Sequence, residues 1–433
     1  MKDLQEPVTV EIPAERWSSR AREWLESRRI DRVVAFDVQL TTMFRGVRAR
    51  RGILLHGPGG WGECAPFAEY DPAESALWLR SAAEAATHGI EIPAARESVP
   101  TRAAANSVRT TRESVPARAA THPFSPARDS LPIFSSRESI PVNVTIPVVP
   151  PQDAAARARA AHCATAKIKV ADPRSTLRQD WDRIRAVSDV LANEFGEAAR
   201  VRIDVNGKWT RDEALAAINF LAEAAAPVGG FEYVEQPCMA VEDLAWVRAR
   251  TSIPIAADES IRRAEDPFRV VELEAADVAV VKVAPLGGVR RALELANELP
   301  IPVVVSSAID TSIGLAAGVA LAAALPALPH ACGLDTQRLL VGDVAGPLVS
   351  SAGALSLADA RRIAAGELLG GRLVGDEMPP SFDANISNDD GATAPGTRVG
   401  SGSRPDPTTR PAPADLVDAW VARTEAMMNQ DVA

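Results

Sequence analysis

Five short apolar segments of this chain end in charged side chains that come in a fixed order. They are Ala166-Lys167-Ile168-Lys169, Ile203-Asp204-Val205-Asn206, Val234-Glu235-Gln236-Pro237, Ala257-Asp258-Glu259-Ser260 and Val281-Lys282-Val283. Helix-like stretches separate most of them. An apolar run that stops on a lysine or a carboxylate reads as a buried strand whose end opens on a polar site. The wider rhythm agrees. Candidate strands fall at 142–148, 166–170, 201–206, 230–235, 254–258, 277–283, 302–307 and 330–335, with helical patterns at 174–196, 211–226, 242–251, 288–298 and 312–325. Strands alternating with helices in this way predict a parallel α/β barrel, with the charged strand ends gathered at one mouth.

Strand parity supports one shared site. Side chains alternate faces along a strand, so Lys167 and Lys169 point the same way, as do Asp204 and Asn206. A single acid at a strand end reads equally well as a helix N-cap or a surface charge. Asp204, Glu235 and Asp258 on consecutive strands, flanked by lysines on the strands before and after, do not. Three carboxylates suit a hard cation that keeps open positions for water and substrate oxygen, which points to Mg²⁺, with Mn²⁺ as a substitute. The five histidines are His56, His88, His122, His162 and His330, and only His330 lies near these strand ends, so a zinc site is not expected. Lysines crowded at a barrel mouth lose their proton more easily, and Lys167 and Lys169 are expected to lower each other's pKa.

Charge and cysteine usage narrow the class of partner. There are 57 acidic residues against 47 basic, a net charge of −10, which argues against nucleic acid and anionic membranes. Cys64, Cys163, Cys238 and Cys332 are scattered and form no CxxC pair, as in a reducing cytoplasm. The N-terminus is charged and lacks the apolar stretch of a signal peptide, so the expected location is the cytoplasm, and the strand-end acids and lysines make a small carboxylate substrate the expected partner. Oligomeric state is left open.

The flanks divide further. Residues 1–29 read as a polar N-terminal extension, with Trp17 and Trp24 on an amphipathic helix, and 30–91 as antiparallel strands followed by a helix from Pro72. Residues 92–140 are repetitive. Arg96-Glu97-Ser98-Val99-Pro100 recurs as Arg112-Glu113-Ser114-Val115-Pro116, Arg128-Asp129-Ser130-Leu131-Pro132 and Arg137-Glu138-Ser139-Ile140-Pro141, amid Ala, Ser, Thr and Pro. This composition reads as a disordered insertion. The barrel is assigned to 141–345, a C-terminal part of the first domain to 346–379, a disordered segment to 380–413 and a last helix to 414–433. Gly57-Pro58-Gly59-Gly60-Trp61-Gly62 satisfies GxGxxG formally, but Glu63-Cys64-Ala65-Pro66 follows instead of a helix, so it reads as a β-turn.

The lysine pair, the three carboxylates and the opposing lysine together resemble the enolase superfamily and, within it, the muconate-lactonising branch. Phe44-Arg45-Gly46-Val47, Gly60-Trp61-Gly62-Glu63-Cys64-Ala65-Pro66, Glu69-Tyr70 and Ser306-Ser307-Ala308-Ile309-Asp310-Thr311-Ser312-Ile313-Gly314 further resemble the actinobacterial o-succinylbenzoate synthases. The resemblance implies a modified (β/α)7β barrel with an α+β capping domain made of N-terminal strands and C-terminal segments. It implies Asp204, Glu235 and Asp258 as Mg²⁺ ligands, Lys169 as the base that later returns a proton, Lys282 as the cation opposite and Lys167 as the residue that tunes Lys169. Asn206 would brace the metal shell, Ser306 and Ser307 would lie near the succinyl or carboxylate end, and the loop after Arg32 with the Trp61–Tyr70 segment would cover the substrate. The activity implied is dehydration of a cyclohexadiene carboxylate to o-succinylbenzoate in menaquinone biosynthesis. An N-acylamino-acid racemase or a dipeptide epimerase on the same scaffold is the alternative.

Overall fold

The computed structural model describes residues 6–91, 137–367 and 411–431. The first three copies of the pentapeptide and most of the 380–413 segment lie outside the described residues. Two sheets organise the rest. The first is antiparallel, with β1 (Val8–Glu11), β2 (Arg32–Phe44), β3 (Val47–Gly57) and β4 (Gly60–Cys64) adjacent in chain order. Helix α1 (Ser19–Ser27) lies between β1 and β2, and α2 (Pro72–His88) follows β4. The start of α2 is set locally: the Asp71 carboxylate accepts the Glu74 N–H at 2.8 Å, and Pro72 supplies a preset φ. The glycine-rich stretch is the β3–β4 hairpin, in which Gly57 pairs with Gly60, as its reading as a turn required. A Cβ on Gly62 would stand 2.0 Å from the Ala82 carbonyl oxygen, so only glycine lets β4 and α2 approach so closely.

The second sheet is the barrel. Its strands are β5 (Ser139–Ile146), β6 (Thr165–Lys169), β7 (Arg200–Asp204), β8 (Phe231–Glu235), β9 (Ile255–Ala257), β10 (Val278–Lys282), β11 (Val303–Ser306) and β12 (Cys332–Asp335). They run parallel in that order, and β12 closes the ring by pairing with β5. Helices α3 (Pro151–Ala161), α4 (Leu177–Phe195), α5 (Arg211–Ala222), α6 (Val241–Arg248), the short α7 (Glu259–Arg262) and α8 (Arg269–Glu272), α9 (Val289–Glu298) and α10 (Ser312–Ala324) connect them. Capping boxes at Thr176/Gln179 and Thr210/Glu213 fix where α4 and α5 begin. The fold is thus an antiparallel capping sheet joined to an eight-stranded parallel barrel.

Four readings from sequence change. Residues 8–11 are an edge strand of the cap sheet rather than part of a polar extension, and Trp17 and Trp24 are buried. Ser139 and Ile140, assigned to the insertion, belong to β5: Ile140 is fully buried, and both pair with β13 (Ala354–Ser356). That pairing also attaches part of the 346–379 segment to the barrel, where β13 runs antiparallel to β5 and leads into α11 (Leu357–Ala364). Helix α11 also lies against β4 of the cap, where a Cβ on Gly60 would meet the Ala364 carbonyl, and the last helix, α12 (Pro413–Asp431), clasps the cap as well. Its Asp431 carboxylate accepts Trp24 Nε1 at 3.1 Å and pairs with Arg28 at 3.1 Å and Arg80 at 3.0 Å. Lastly, α3 had not been anticipated.

Candidate active site

The barrel delivers its charged residues to one rim. Lys169, Asp204, Glu235 and Lys282 are the last residues of β6, β7, β8 and β10, and Asp258 follows β9 directly. Register sets Lys169 beside Asp204, and Asp204 beside Glu235. Strands β6 and β10 are four steps apart in a ring of eight, so Lys169 and Lys282 enter from opposite sides. Asp204, Glu235 and Asp258 are completely buried. Carboxylates are tolerated there only because cations meet them.

Those pairings are specific. Lys167 Nζ donates to both oxygens of Glu235, at 2.9 and 3.1 Å, and lies 3.2 Å from Asp204 Oδ2. Lys169 Nζ donates to Asp204 Oδ2 at 2.5 Å and to Asn206 Oδ1 at 2.8 Å. Lys282 Nζ donates to Asp258 Oδ2 at 2.6 Å, while Arg262 Nε holds Asp258 Oδ1 at 3.0 Å. Arg262 also donates to Tyr70 Oη at 2.6 Å and to Glu259 Oε1 at 2.7 Å, tying the cap to the barrel mouth. Gln236, at φ 42°, is fully buried and accepts the backbone N–H groups of Asp258 and Ser260 at 2.8 and 3.2 Å, which fixes the turn after β9.

The electrostatics separate the three lysines. Burial, with Lys167 and Arg45 nearby, outweighs Asp204 and brings Lys169 down to about 8. Burial likewise lowers Lys282. Lys167 moves the other way: burial opposes its charge, but Glu235 and Asp204 overcome it and its pKa rises. The expected mutual lowering of the lysine pair therefore runs in one direction only, because Glu235 chelates Lys167 with both oxygens. Glu235 is pushed up to about 7 by burial and by Asp204. Against burial, Lys169 and Lys167 hold Asp204 well below the usual carboxylate range, and Arg262 and Lys282 do the same for Asp258.

A small, partly open cavity lies over these groups. Its walls include Lys167, Lys169, Asp204 and Lys282 from the barrel, Phe44, Arg45 and Phe67 from the cap, and Ser306 and Ser307. Both serine hydroxyls turn to the Gly333 carbonyl, at 3.4 and 3.2 Å, and Ser307 Oγ also meets Thr336 Oγ1 at 2.7 Å. The expected loop after Arg32 is in fact β2, a strand of 13 residues, and the cover comes from its far end at Phe44 and Arg45. Of the Trp61–Tyr70 segment, Phe67 reaches the cavity. Asn206 (φ 54°) links Lys169 to Glu259, which its Nδ2 approaches at 3.3 Å. Sequence reasoning missed Arg262, the role of Gln236, and the part of Phe44 and Arg45 in covering the site. The spacing of four residues between Asp258 and Arg262 on a short helix was the one available signal.

The donors for a hard cation are present. As the side chains lie, no three His, Cys, Asp or Glu groups among the described residues converge on one point. Yet one ammonium, that of Lys167, spans both Asp204 and Glu235, and Glu259 Oε2 is buried without a partner beside them. Oxygen-only donors on adjacent strand ends fit Mg²⁺.

Family comparisons agree with this geometry. Residues 35–86 match the model described as Enolase N-terminal domain-like, and residues 152–361 match Enolase C-terminal domain-like. The o-succinylbenzoate synthase of Thermobifida fusca (strain YX) is 48% identical over 310 residues, 72% of this chain and 82% of that protein. That of Mycolicibacterium smegmatis is 42% identical over 329 residues, 76% and 86%. The chain belongs to the o-succinylbenzoate synthase family of the enolase superfamily. As an o-succinylbenzoate synthase family member it is a lyase of the hydro-lyase type. Solved structures repeat the fold. The L-Ala-D/L-Glu epimerase of Bacillus subtilis aligns with a TM-score of 0.54 at 21% identity, covering 75% of this chain and 94% of that one. A dipeptide epimerase from Enterococcus faecalis, complexed with Mg and a dipeptide, aligns at 0.56 with 19% identity, covering 78% and 97%. Enolase superfamily enzymes typically bind divalent magnesium. Among the described residues no helix is long and apolar enough to cross a membrane.

Proposed function

We propose that the chain dehydrates 2-succinyl-6-hydroxy-2,4-cyclohexadiene-1-carboxylate to o-succinylbenzoate, the step its family performs in menaquinone biosynthesis, with Lys169 as the proton-transfer group. The observation that carries the reading is one cavity at the barrel mouth with Lys169, its pKa brought down by burial, on one side and Lys282 on the other. Mg²⁺ bound by Asp204, Glu235 and Asp258 would supply positive charge to the substrate carboxylate as it becomes an enediolate. Lys169 Nζ, neutral in a substantial fraction near pH 8, takes the proton on the carbon α to that carboxylate. The same nitrogen then gives that proton to the departing hydroxyl, so H and OH leave as water and the ring becomes aromatic. Lys282 keeps a positive charge on the far face and stabilises the enediolate without exchanging a proton. Lys167, locked to Glu235, stays charged and lowers the pKa of Lys169. Phe44, Arg45 and Phe67 close the cavity from the cap and exclude water. Ser306 and Ser307 offer hydroxyls to the succinyl end.

A second reading has the same footing in the geometry. Two lysines across one cavity, both with lowered pKa, could exchange the α-proton of an N-acylamino acid on either face. Purified protein assayed with Mg²⁺ on the cyclohexadiene and on a panel of N-succinylamino acids in D₂O separates them. Rapid aromatisation is expected. Racemisation with solvent deuterium uptake and no aromatisation would replace the proposal with its rival.

A further inference from the structure

One residue of the cavity wall has a backbone that its side chain resists. Ile309 lies at φ 64°, in the left-handed region that β-branched residues avoid, and it is buried against the cavity. Such a conformation persists only where its surroundings hold it. Here the restraint comes from the other domain. Arg50, on β3 of the cap and nearly fully buried, donates Nε–H to the Ile309 carbonyl at 3.1 Å. The same guanidinium donates to the Ala65 carbonyl and stacks 4.3 Å from the centre of the Phe67 ring. Phe67 and Ile309 both line the cavity. Of the buried acids nearby, Asp310 acts most strongly in favour of Arg50's charge. Glu63 in turn accepts the N–H groups of Thr311 and Gly314 at 3.0 Å each, anchoring the start of α10 to the cap.

We propose that Arg50 is a positioning residue for the dehydration site: by gripping Ile309, Ala65 and Phe67 at once, it joins cap and barrel into a single substrate-binding wall. Only an arginine meets all three demands. Its planar fork donates along separate directions while its face stacks on a ring, whereas a lysine keeps the charge and can satisfy one partner at a time. Arg50 touches no reacting atom, so its contribution is to substrate binding in ground and transition states alike. The strain at Ile309 makes the role separable from mere stability. Glycine adopts φ 64° without cost, so in an Ile309→Gly protein the backbone at this position keeps its path with less help from Arg50, whatever the lost side chain itself does to binding.

The inference rests on the dehydration reading of this cavity, and turnover by the unaltered enzyme tests that reading on its own. The inference is tested by ratios among variants: kcat and KM are measured for full-length wild type, Arg50→Lys, Ile309→Gly and the double variant, with folding checked by circular dichroism. Arg50→Lys is expected to raise KM tenfold or more with kcat within threefold. In the Ile309→Gly background the same change should raise KM threefold or less. An unchanged KM in Arg50→Lys overturns the proposal, as does an equal KM penalty in both backgrounds. A loss confined to kcat, or failure of Arg50→Lys to fold in both backgrounds, does so too.

Discussion

Glu63→Gln should flatten the dependence of stability on pH. Glu63 is buried on β4, and burial together with Asp310 pushes its pKa from 4.5 up to about 8, despite the hydrogen bonds from Thr311 and the charge of Arg50. A carboxyl whose folded pKa is raised binds its proton more tightly in the native state, so its stabilisation is complete below about pH 4.5 and is lost as pH rises through about 8. At 1.36 kcal/mol per pH unit, the native state loses about 3 kcal/mol from this group between pH 5 and pH 7.5. Glutamine is neutral throughout. Its carbonyl can replace Oε2, which accepts Thr311 Oγ1 at 2.6 Å and the Thr311 and Gly314 N–H groups, leaving the amide on the less engaged Oε1 side. Urea unfolding of wild type and Glu63→Gln at pH 5 and pH 7.5 measures the difference. The variant should gain on the wild type by about 2–3 kcal/mol across that interval. Parallel pH slopes for the two proteins would refute the argument, since Glu63 would then be ionised in the fold.

Gly62→Ala should cost at least about 1–3 kcal/mol in urea unfolding, because its Cβ would meet the rigid Ala82 carbonyl at 2.0 Å; an unchanged midpoint would mean β4 and α2 can separate freely. Excess chelator should abolish turnover and added Mg²⁺ or Mn²⁺ should restore it; full activity in chelator would remove the cation from Asp204, Glu235 and Asp258. Lys282→Ala should lower kcat by about a hundredfold while Lys282→Arg loses less, because a guanidinium still places positive charge opposite Lys169. Equal losses in the two variants would point to proton transfer by Lys282.

The barrel and its polar rim were legible because the chain writes them locally. Lys169, Asp204, Glu235 and Lys282 each close an apolar strand, and although one such charge has other uses, the set on successive strands has few. The weakest strand signal, 330–335, still became β12 (Cys332–Asp335), since the ring needs an eighth strand to pair with β5. Helix α3 was missed although Ala154, Ala158 and Ala161 are buried at helical spacing; alanines interleaved with Arg157 and Arg159 give little contrast between faces. The fourth pentapeptide looked like its predecessors, yet Ile140 has β13 to pair with, and that partner lies more than two hundred residues away. Distance in sequence hid the cap's contribution in the same way. The Trp61–Tyr70 segment, with Phe67, was expected as cover, but nothing near Phe44 or Arg45 says that they roof a cavity built on β6, β7 and β10. The opposite shifts of Lys167 and Lys169 also depend on geometry, because the spacing shows two neighbouring cations but not the Glu235 carboxylate that claims one of them.

The most direct test of the account is a comparison of Lys169→Ala with wild type in the aromatisation assay, followed by the loss of the substrate's conjugated-diene absorbance with Mg²⁺ present. With Lys169 as both base and acid, its removal should lower kcat at least about a hundredfold while the protein stays folded. A Lys169→Ala enzyme with near-normal turnover, set beside an inactive Lys282→Ala enzyme, would reverse the two faces of the site and contradict the mechanism.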